Sequence, residues 1–485
     1  MDSLRNESDA GSESDPLLES DKSDSENHEN GPKDSVTSSL ETTRVPEKAP
    51  VDRWNVVYLI FYLMGIGSLL PWNFFSNAKM YFLYKLRNIS DTNPHHWNNT
   101  KHYTDLQVMF ESYLTLAAML PNVLFMFLNT AATKYISLRV RIVVATSAMI
   151  LMFILTIILT KVNTDEWQHL FFIITIVSII IMNAGSAVLQ GGVFGLSGMF
   201  PEKYSQSVMG GMGLGGLTAA VASVITVAIG SDPIESGFGY FITAEIVVIA
   251  ALIGFLCLPC NKFARYYSEM KPRPRSPSIN YFEQRVDADE SAVDISMEIS
   301  YGESGSLWRV FKKLKLPGFC VFFSFTLTLS CYPAINSAIQ AQYSDVKHPS
   351  VWAGMYFMPV SCFLAFNTFD LLGRTLAGPL QFPRQGSPIM LLLCLMRVLI
   401  VPIFLFCNVQ PRHNLPVIFH QDWIPIVSMA VFAISNGYLG TLCMMYGPQA
   451  ASGENLELAG AMMSFLLSLG LGVGAVCSLL LVKLV

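Results

Sequence analysis

From Trp54 onward the chain is a series of long apolar runs separated by short polar breaks, and a window of roughly 19 residues finds about eleven of them. Their approximate extents are 55–78, 107–129, 140–160, 169–199, 207–229, 238–258, 316–340, 351–376, 388–408, 423–445 and 459–482. Each can cross a hydrocarbon core as a helix, which needs about 20 residues, and lipid offers a spanning backbone no partner outside a helix or a closed barrel. The expected fold is therefore all-α and polytopic, with about eleven transmembrane helices. Ahead of the first run, residues 1–53 are rich in Asp, Glu, Ser and Asn and nearly free of aromatics, the pattern of a disordered, solvated tail. A second break, 261–315, carries Lys271-Pro272-Arg273-Pro274-Arg275-Ser276-Pro277 and then an acidic stretch, and reads as a cytosolic linker. It divides the spans into six (54–260) and five (316–485), a division shared with transporters built from two bundles around a midplane site.

Composition sharpens this picture. With 485 residues, 52% hydrophobic and only 14% charged, and a mean hydropathy of +0.43, the chain lies outside the range of soluble domains. The formal net charge of -5 is concentrated by the acidic tail. No basic patch points to nucleic acid, and no charged leader with a small-residue cleavage site precedes the first run. The Lys and Arg bias of the loops places the N-terminus in the cytosol and the C-terminus on the opposite, lumenal side. The loop from about Leu83 to Leu106 falls on that lumenal side and carries two glycosylation acceptor patterns, at Asn88 and Asn98. The nine cysteines sit mostly within apolar runs, where they act as small hydrophobes. Cys257 and Cys260 have no second ligand pair, so no metal is expected. The glycine run Gly210–Gly216 lacks the Gly-Lys-Ser/Thr ending of a phosphate loop and reads as small-residue helix packing, so no nucleotide cofactor is expected either.

The candidate chemistry lies inside the greasy runs. In Phe363–Arg374, FLAFNTFDLLGR, the residues Phe363, Asn367, Asp370 and Arg374 fall within a narrow arc of one helix. An unpaired charge at mid-depth costs roughly 2.5 to 3.5 kcal/mol on insertion scales, so something must offset these groups: either a wet cavity in which they bind a polar solute, or a structural ion pair between helices. Trp72 and Asn73 follow Pro71, which can turn them inward; the rival reading of Trp72 is an interfacial anchor. Gln190, preceded by Asn183 and Ser186, offers donors and acceptors to a planar heterocycle. Glu111, Glu245 and Arg397 are expected to be paired or near an interface, and Glu457 is a candidate proton sensor.

Three stretches, LLPWNFF at 69–75, SAVLQGGVFGLSG at 186–198 and FNTFDLLGR at 366–374, resemble the signature stretches of the equilibrative nucleoside transporter family, in the family's order and over essentially all of 54–485. The resemblance implies a major-facilitator-like fold that moves nucleosides such as adenosine and uridine, and nucleobases, across a bilayer by alternating access. Asp370 and Arg374 resemble the pair set against the ribose, Gln190 the residue facing the base, and Trp72 the pocket-wall aromatic with Asn73 beside it. Met119, Tyr332, Phe363 and Asn367 match pocket positions in the second, seventh and eighth spans. In the tail, Glu13 precedes Leu17-Leu18 by the spacing of an acidic dileucine signal, which is similar to those read by clathrin adaptors. With it the chain looks most similar to the lysosomal branch of the family, so a lysosomal or late endosomal membrane and proton-dependent export from the lumen are expected, with the plasma membrane as the alternative address. A facilitator of sugars or other small polar solutes and a non-transporting receptor or scaffold remain rival readings. An intramembrane hydrolase is disfavoured, because no HExxH, intramembrane aspartate pair or serine–histidine couple is present.

Overall fold

Apolar runs of this length become helices because a helix satisfies its own backbone, and a computed structural model of the chain shows that outcome almost throughout. It describes residues 50–89, 104–229, 232–269, 307–342, 350–412, 414–451 and 455–485. The dileucine-like Glu13, Leu17 and Leu18, the acceptor Asn98 and the proline-rich centre of the linker lie outside the described residues. Asn88 is described and exposed, three residues beyond a short helix.

The helices are α1 (Val56–Asn77), α2 (Lys79–Lys85), α3 (Asp105–Ala132), α4 (Leu138–Lys161), α5 (Gln168–Gly198), α6 (Glu202–Ile229), α7 (Pro233–Cys257), α8 (Lys262–Glu269), α9 (Leu307–Lys313), α10 (Lys315–Cys331), α11 (Ala365–Leu380), α12 (Ile389–Met396), α13 (Ile400–Leu405), α14 (Trp423–Gln449) and α15 (Leu456–Leu484). Among the described residues nine helical stretches are long and apolar enough to cross a membrane, and Ile389–Leu405 is a shorter apolar one.

Prolines explain where the helices depart from the expected runs. The seventh run ends as a helix at Cys331 rather than near 340, with Tyr332 extended, because the ring of Pro333 disfavours helical backbone in the residue before it. The eighth run begins with two wide π turns, Trp352–Tyr356 and Pro359–Leu364, before it tightens into α11. Pro359 has no N–H to give and crowds the carbonyl four residues back. The ninth is broken into α12 and α13 by a tight turn at Arg397–Leu399, one turn ahead of Pro402. The expected linker is helical at both ends, as α8 and α9. In α8 the i, i+4 pair Phe263 and Tyr267 packs on Phe200, with ring centroids 6.1 and 5.4 Å away.

Close packing is carried by missing side chains. In the first half of the chain α1 packs on α6, α3 and α4 on α5, and α7 on α1 and α4; in the second half α11 packs on α14 and α10 on α15. At α1–α6 a Cβ on Gly211 would overlap the carbonyl of Tyr62, and at α11–α14 a Cβ on Gly437 would overlap that of Asp370. With little hydrophobic drive between helices in lipid, such backbone approach provides much of the packing attraction.

Gly437→Val should therefore force α14 off α11 and destabilise the protein by about 1–3 kcal/mol or more, read as a lower melting temperature of the purified protein in detergent. Gly239→Ala, where nothing lies within 4 Å of the added carbon, should melt no lower than the parent.

Candidate functional site

The eighth run folds so that Asp370 and Arg374 stack one turn apart on α11, and Arg374 Nε donates to Asp370 Oδ2 at 2.6 Å. The pair is 3% and 7% exposed, so in this conformation it is enclosed by protein rather than facing an open cavity. Its remaining bonding capacity is largely taken by neighbouring helices. Asn436 Nδ2, on α14, donates to Asp370 Oδ1 at 2.7 Å, and Arg374 Nη1 donates to the Met209 carbonyl of α6 at 2.9 Å. Thr328 on α10 donates its hydroxyl to Asn436 Oδ1 (2.8 Å) and accepts from Arg397 Nη2 (2.7 Å). Arg397, 2% exposed in the broken ninth run, also donates to the Ser324 carbonyl and to Ser435 Oγ, at 2.9 and 3.1 Å. A carboxylate is thus joined to one guanidinium directly and to a second through a threonine–asparagine relay. Satisfying lone pairs and N–H groups in this way makes a buried ion pair tolerable.

Beside the pair lies a less enclosed surface. Phe363, Asn367 and Tyr332 are all half-buried. Tyr332 stacks on Phe366 with centroids 3.8 Å apart and meets Phe363 edge-on at 6.0 Å. Asn367 Nδ2 donates to the Phe363 carbonyl at 2.9 Å and to Tyr332 Oη at 3.4 Å. Contacts therefore join Tyr332, Phe363 and Asn367 into one group, about one turn before the Asp370–Arg374 pair along α11. Gln190 belongs to another: it is 4% exposed and donates to Ser464 Oγ of α15 at 3.4 Å. Trp72 and Asn73 on α1 and Met119 on α3 are half-buried. Asn183 is turned back on its own helix, donating to the Ile179 carbonyl.

Two polar clusters tie the halves of the chain together, both at the end where α4, α6 and α15 begin and α5, α11 and α14 finish. In the first, Glu457 of α15 accepts a hydrogen bond from Arg141 Nη2 of α4, forming an ion pair, while Arg141 Nη1 donates to Asn129 Oδ1 of α3 at 2.7 Å. A Cβ on Gly195 would press on Glu457 at 3.1 Å, and one on Gly460 would strike the Phe194 carbonyl. Glu457, expected from sequence as a proton sensor, is in this conformation the acceptor of an interhelical ion pair. In the second, Tyr58 Oη donates to Gln206 Oε1 at 3.1 Å, and Gln206 Nε2 donates to the Arg374 carbonyl at 3.4 Å. Asp52 accepts from the Val57 and Tyr58 N–H groups and from Tyr204 Oη.

Sequence reasoning missed Asn436, Thr328, Gln206 and Arg141 as parts of this system. Asn436 could have been found by the argument that an amide inside a span needs a partner. Thr328 carried no such signal, because threonines in spans bond their own helix. Among the described residues no group of three or more His, Cys, Asp or Glu could hold a metal ion.

Residues 176–483 match the family profile described as nucleoside transporter. "Equilibrative nucleoside transporter 1" of Homo sapiens is 40% identical over 451 residues, covering 89% of this chain and 98% of that protein. "Equilibrative nucleoside transporter 3" of Rattus norvegicus is 35% identical, covering 89% and 90%. Among solved structures, the major facilitator superfamily proton:xylose symporter XylE aligns with a TM-score of 0.55 over 88% of this chain and 95% of that one. At 10% identity that likeness is one of fold alone, and the fold is major-facilitator-like.

The relay makes Asn436 a structural requirement. Asn436→Leu should leave Asp370 Oδ1 buried without its donor at a cost of about 1–3 kcal/mol, seen as a lower melting temperature in detergent. Asn436→Gln, which keeps the amide, should recover part of the loss.

Proposed function

As the chain belongs to the equilibrative nucleoside transporter family, a family of carriers and not of enzymes, we propose that it moves nucleosides such as adenosine and uridine across a membrane by alternating access. The observation that carries this reading is the α11 group: a carboxylate, a guanidinium and an amide placed within a span beside a half-buried aromatic surface. A nucleoside is neutral, flat at one end and bears vicinal hydroxyls at the other. Aromatic faces and an amide suit the base, while an acceptor and a donor one helical turn apart suit the ribose. In this proposal the sugar approaches from the Asn367 side and exchanges hydrogen bonds with Asp370 and Arg374, which hold each other until it arrives. Trp72, Asn73, Met119 and Gln190 supply the opposing wall from residues 54–260, and the two bundles, 54–260 and 316–485, rock about the site.

The two polar clusters support a conformation closed at one end. With the N-terminus and the 261–315 linker cytosolic, as the loop charges favour, that end is the cytosolic gate and the site is approached from the other side. Glycosylation at Asn88 and Asn98 agrees with the same orientation. Residues Glu13, Leu17 and Leu18 support delivery by clathrin adaptors to a lysosomal or late endosomal membrane, with acidic lumenal pH favouring export. Loss of the Glu457 charge would remove the negative partner of Arg141 and loosen the closed end; at the cytosolic gate that carboxylate answers to cytosolic rather than lumenal protons.

The test is flux into proteoliposomes. Adenosine uptake by the parent should be competed by uridine and not by glucose, and Asp370→Asn and Arg374→Ala should each lose most of it while still inserting; full flux in both would remove the site assignment. Glu457→Gln should raise the labelling by a thiol reagent of Ala461→Cys, because α15, no longer clamped to α4, lifts from α5. Unchanged labelling would show that the ion pair is not the latch.

A further inference from the structure

Glu245 lies twelve residues into the 25-residue α7, about 18 Å from either end at 1.5 Å per residue, the middle of a spanning helix. It is 8% exposed, and neither carboxyl oxygen has a hydrogen-bond partner among the described residues. The expectation that this acid would be paired or interfacial is not met. Every other buried charge in the sites above is answered by an opposite charge, an amide or a carbonyl, and this one is not.

The surroundings explain why nothing answers it. α7 packs against α1, α4 and α2, with a short turn at Leu258–Cys260 beyond its end. Phe241 meets Phe75 of α1 with centroids 5.3 Å apart, and a Cβ on Gly67 would touch Ala251 at 3.3 Å. Running antiparallel, these contacts set Glu245 level with about Leu70–Asn73, the Pro71 stretch of α1. Lys161 lies over the Phe238 ring at 4.2 Å, which sets Glu245 level with about Phe153–Thr156 of α4. No acidic, basic or histidine residue occurs in α1, and those of α4 are Arg139, Arg141 and Lys161 at its ends. On α2 the nearest titratable group is Tyr81, whose ring is edge-on to Phe241 at 5.9 Å and whose buried hydroxyl also has no partner among the described residues; Lys85 at its end donates to the Val162 carbonyl at 2.7 Å. On α7 itself, the Tyr240 hydroxyl lies 2.6 Å from that of Thr226 and Glu235 is in the first turn; Cys257 and Cys260 are at the far end.

An ionised carboxylate at that depth, without counter-ion or donor, is too costly to keep, so the group is carried as the neutral acid. A neutral acid there adds no bond to the fold, and an apolar side chain would pack at least as well. We propose that Glu245 is a proton-binding site: it takes a proton from the water on the acidic side of the membrane, holds it while α7 is closed on α1, and returns it to water when the two helices part during the cycle. The group lies level with the α1 stretch that carries Trp72, on a helix packed against α1, so its proton occupancy governs how readily that wall moves. The coupling to transport rests on the nucleoside-carrier reading; the proton site itself does not.

The experiment uses the full chain, purified and reconstituted, with labelled adenosine at about pH 5.5 and about pH 7.4. The parent should run several-fold faster at the lower pH. Glu245→Gln, an isosteric stand-in for the neutral acid, should run at similar rates at both. A second readout needs no substrate: on raising the pH over the same range, the parent's melting temperature in detergent should fall more than that of Glu245→Gln, because stability tied to a neutral buried acid is present at low pH and lost as it ionises. Parallel melting profiles for the two proteins would overturn the proton site. So would a Glu245→Gln variant that keeps the parent's rate ratio, or a ratio that is abolished only by Glu457→Gln. If the parent moves no adenosine while the melting profiles still diverge, the carrier reading fails and the proton site stands.

Discussion

The structure turns on the requirement that a charge taken into a membrane span be answered by protein. Asp370 is the clearest case. One oxygen takes the Arg374 guanidinium, and the other takes an amide that is itself held by Thr328 and Arg397. Those bonds recruit α10, the turn after α12, and α14, while Arg374 reaches the α6 backbone from the first half of the chain. Removing one partner from such a network leaves an uncompensated charge, which costs far more than the network gains over an apolar core. The five helical segments are therefore held in one relation as long as the pair is closed.

That dependence also makes the site suited to moving. Hydrogen bonds between side chains can be exchanged for bonds to hydroxyls of a solute at little net cost, whereas a dry apolar seam must be re-exposed to part. The polar contacts between the halves near one end are of the exchangeable kind: Arg141 with Glu457 and Gln206 with the Arg374 carbonyl. Glycine crossings are of the other kind, backbone against backbone, at Gly211 and Gly437 within the halves and at Gly460 between them; the first two hold α1 on α6 and α14 on α11 while the polar contacts open and close. The same carbonyl of α11 that Gly437 approaches belongs to Asp370, so the packing of α14 and the placing of the carboxylate are one event.

Much of this was legible in order and little of it in pairing. Apolar run length and small-residue stretches determined by themselves that the chain is a set of spanning helices and that Gly210–Gly216 packs closely, because each depends on a residue and its near neighbours along one helix; run length alone overran the stop at Cys331 and missed the break at Arg397–Leu399. The stripe of Phe363, Asn367, Asp370 and Arg374 was visible for the same reason, as an i, i+4 pattern. Which group answers each charge was decided only by the tertiary structure. Arg141 and Glu457 lie 316 residues apart, Asn436 and Asp370 lie 66 apart, and nothing in the period of either segment says that the two helices are adjacent. Glu245 shows the converse: its sequence setting is that of any lone acid in a span, and only the packing of α1, α2 and α4 around it leaves the carboxyl without a partner, since none of those helices carries an opposite charge at its level.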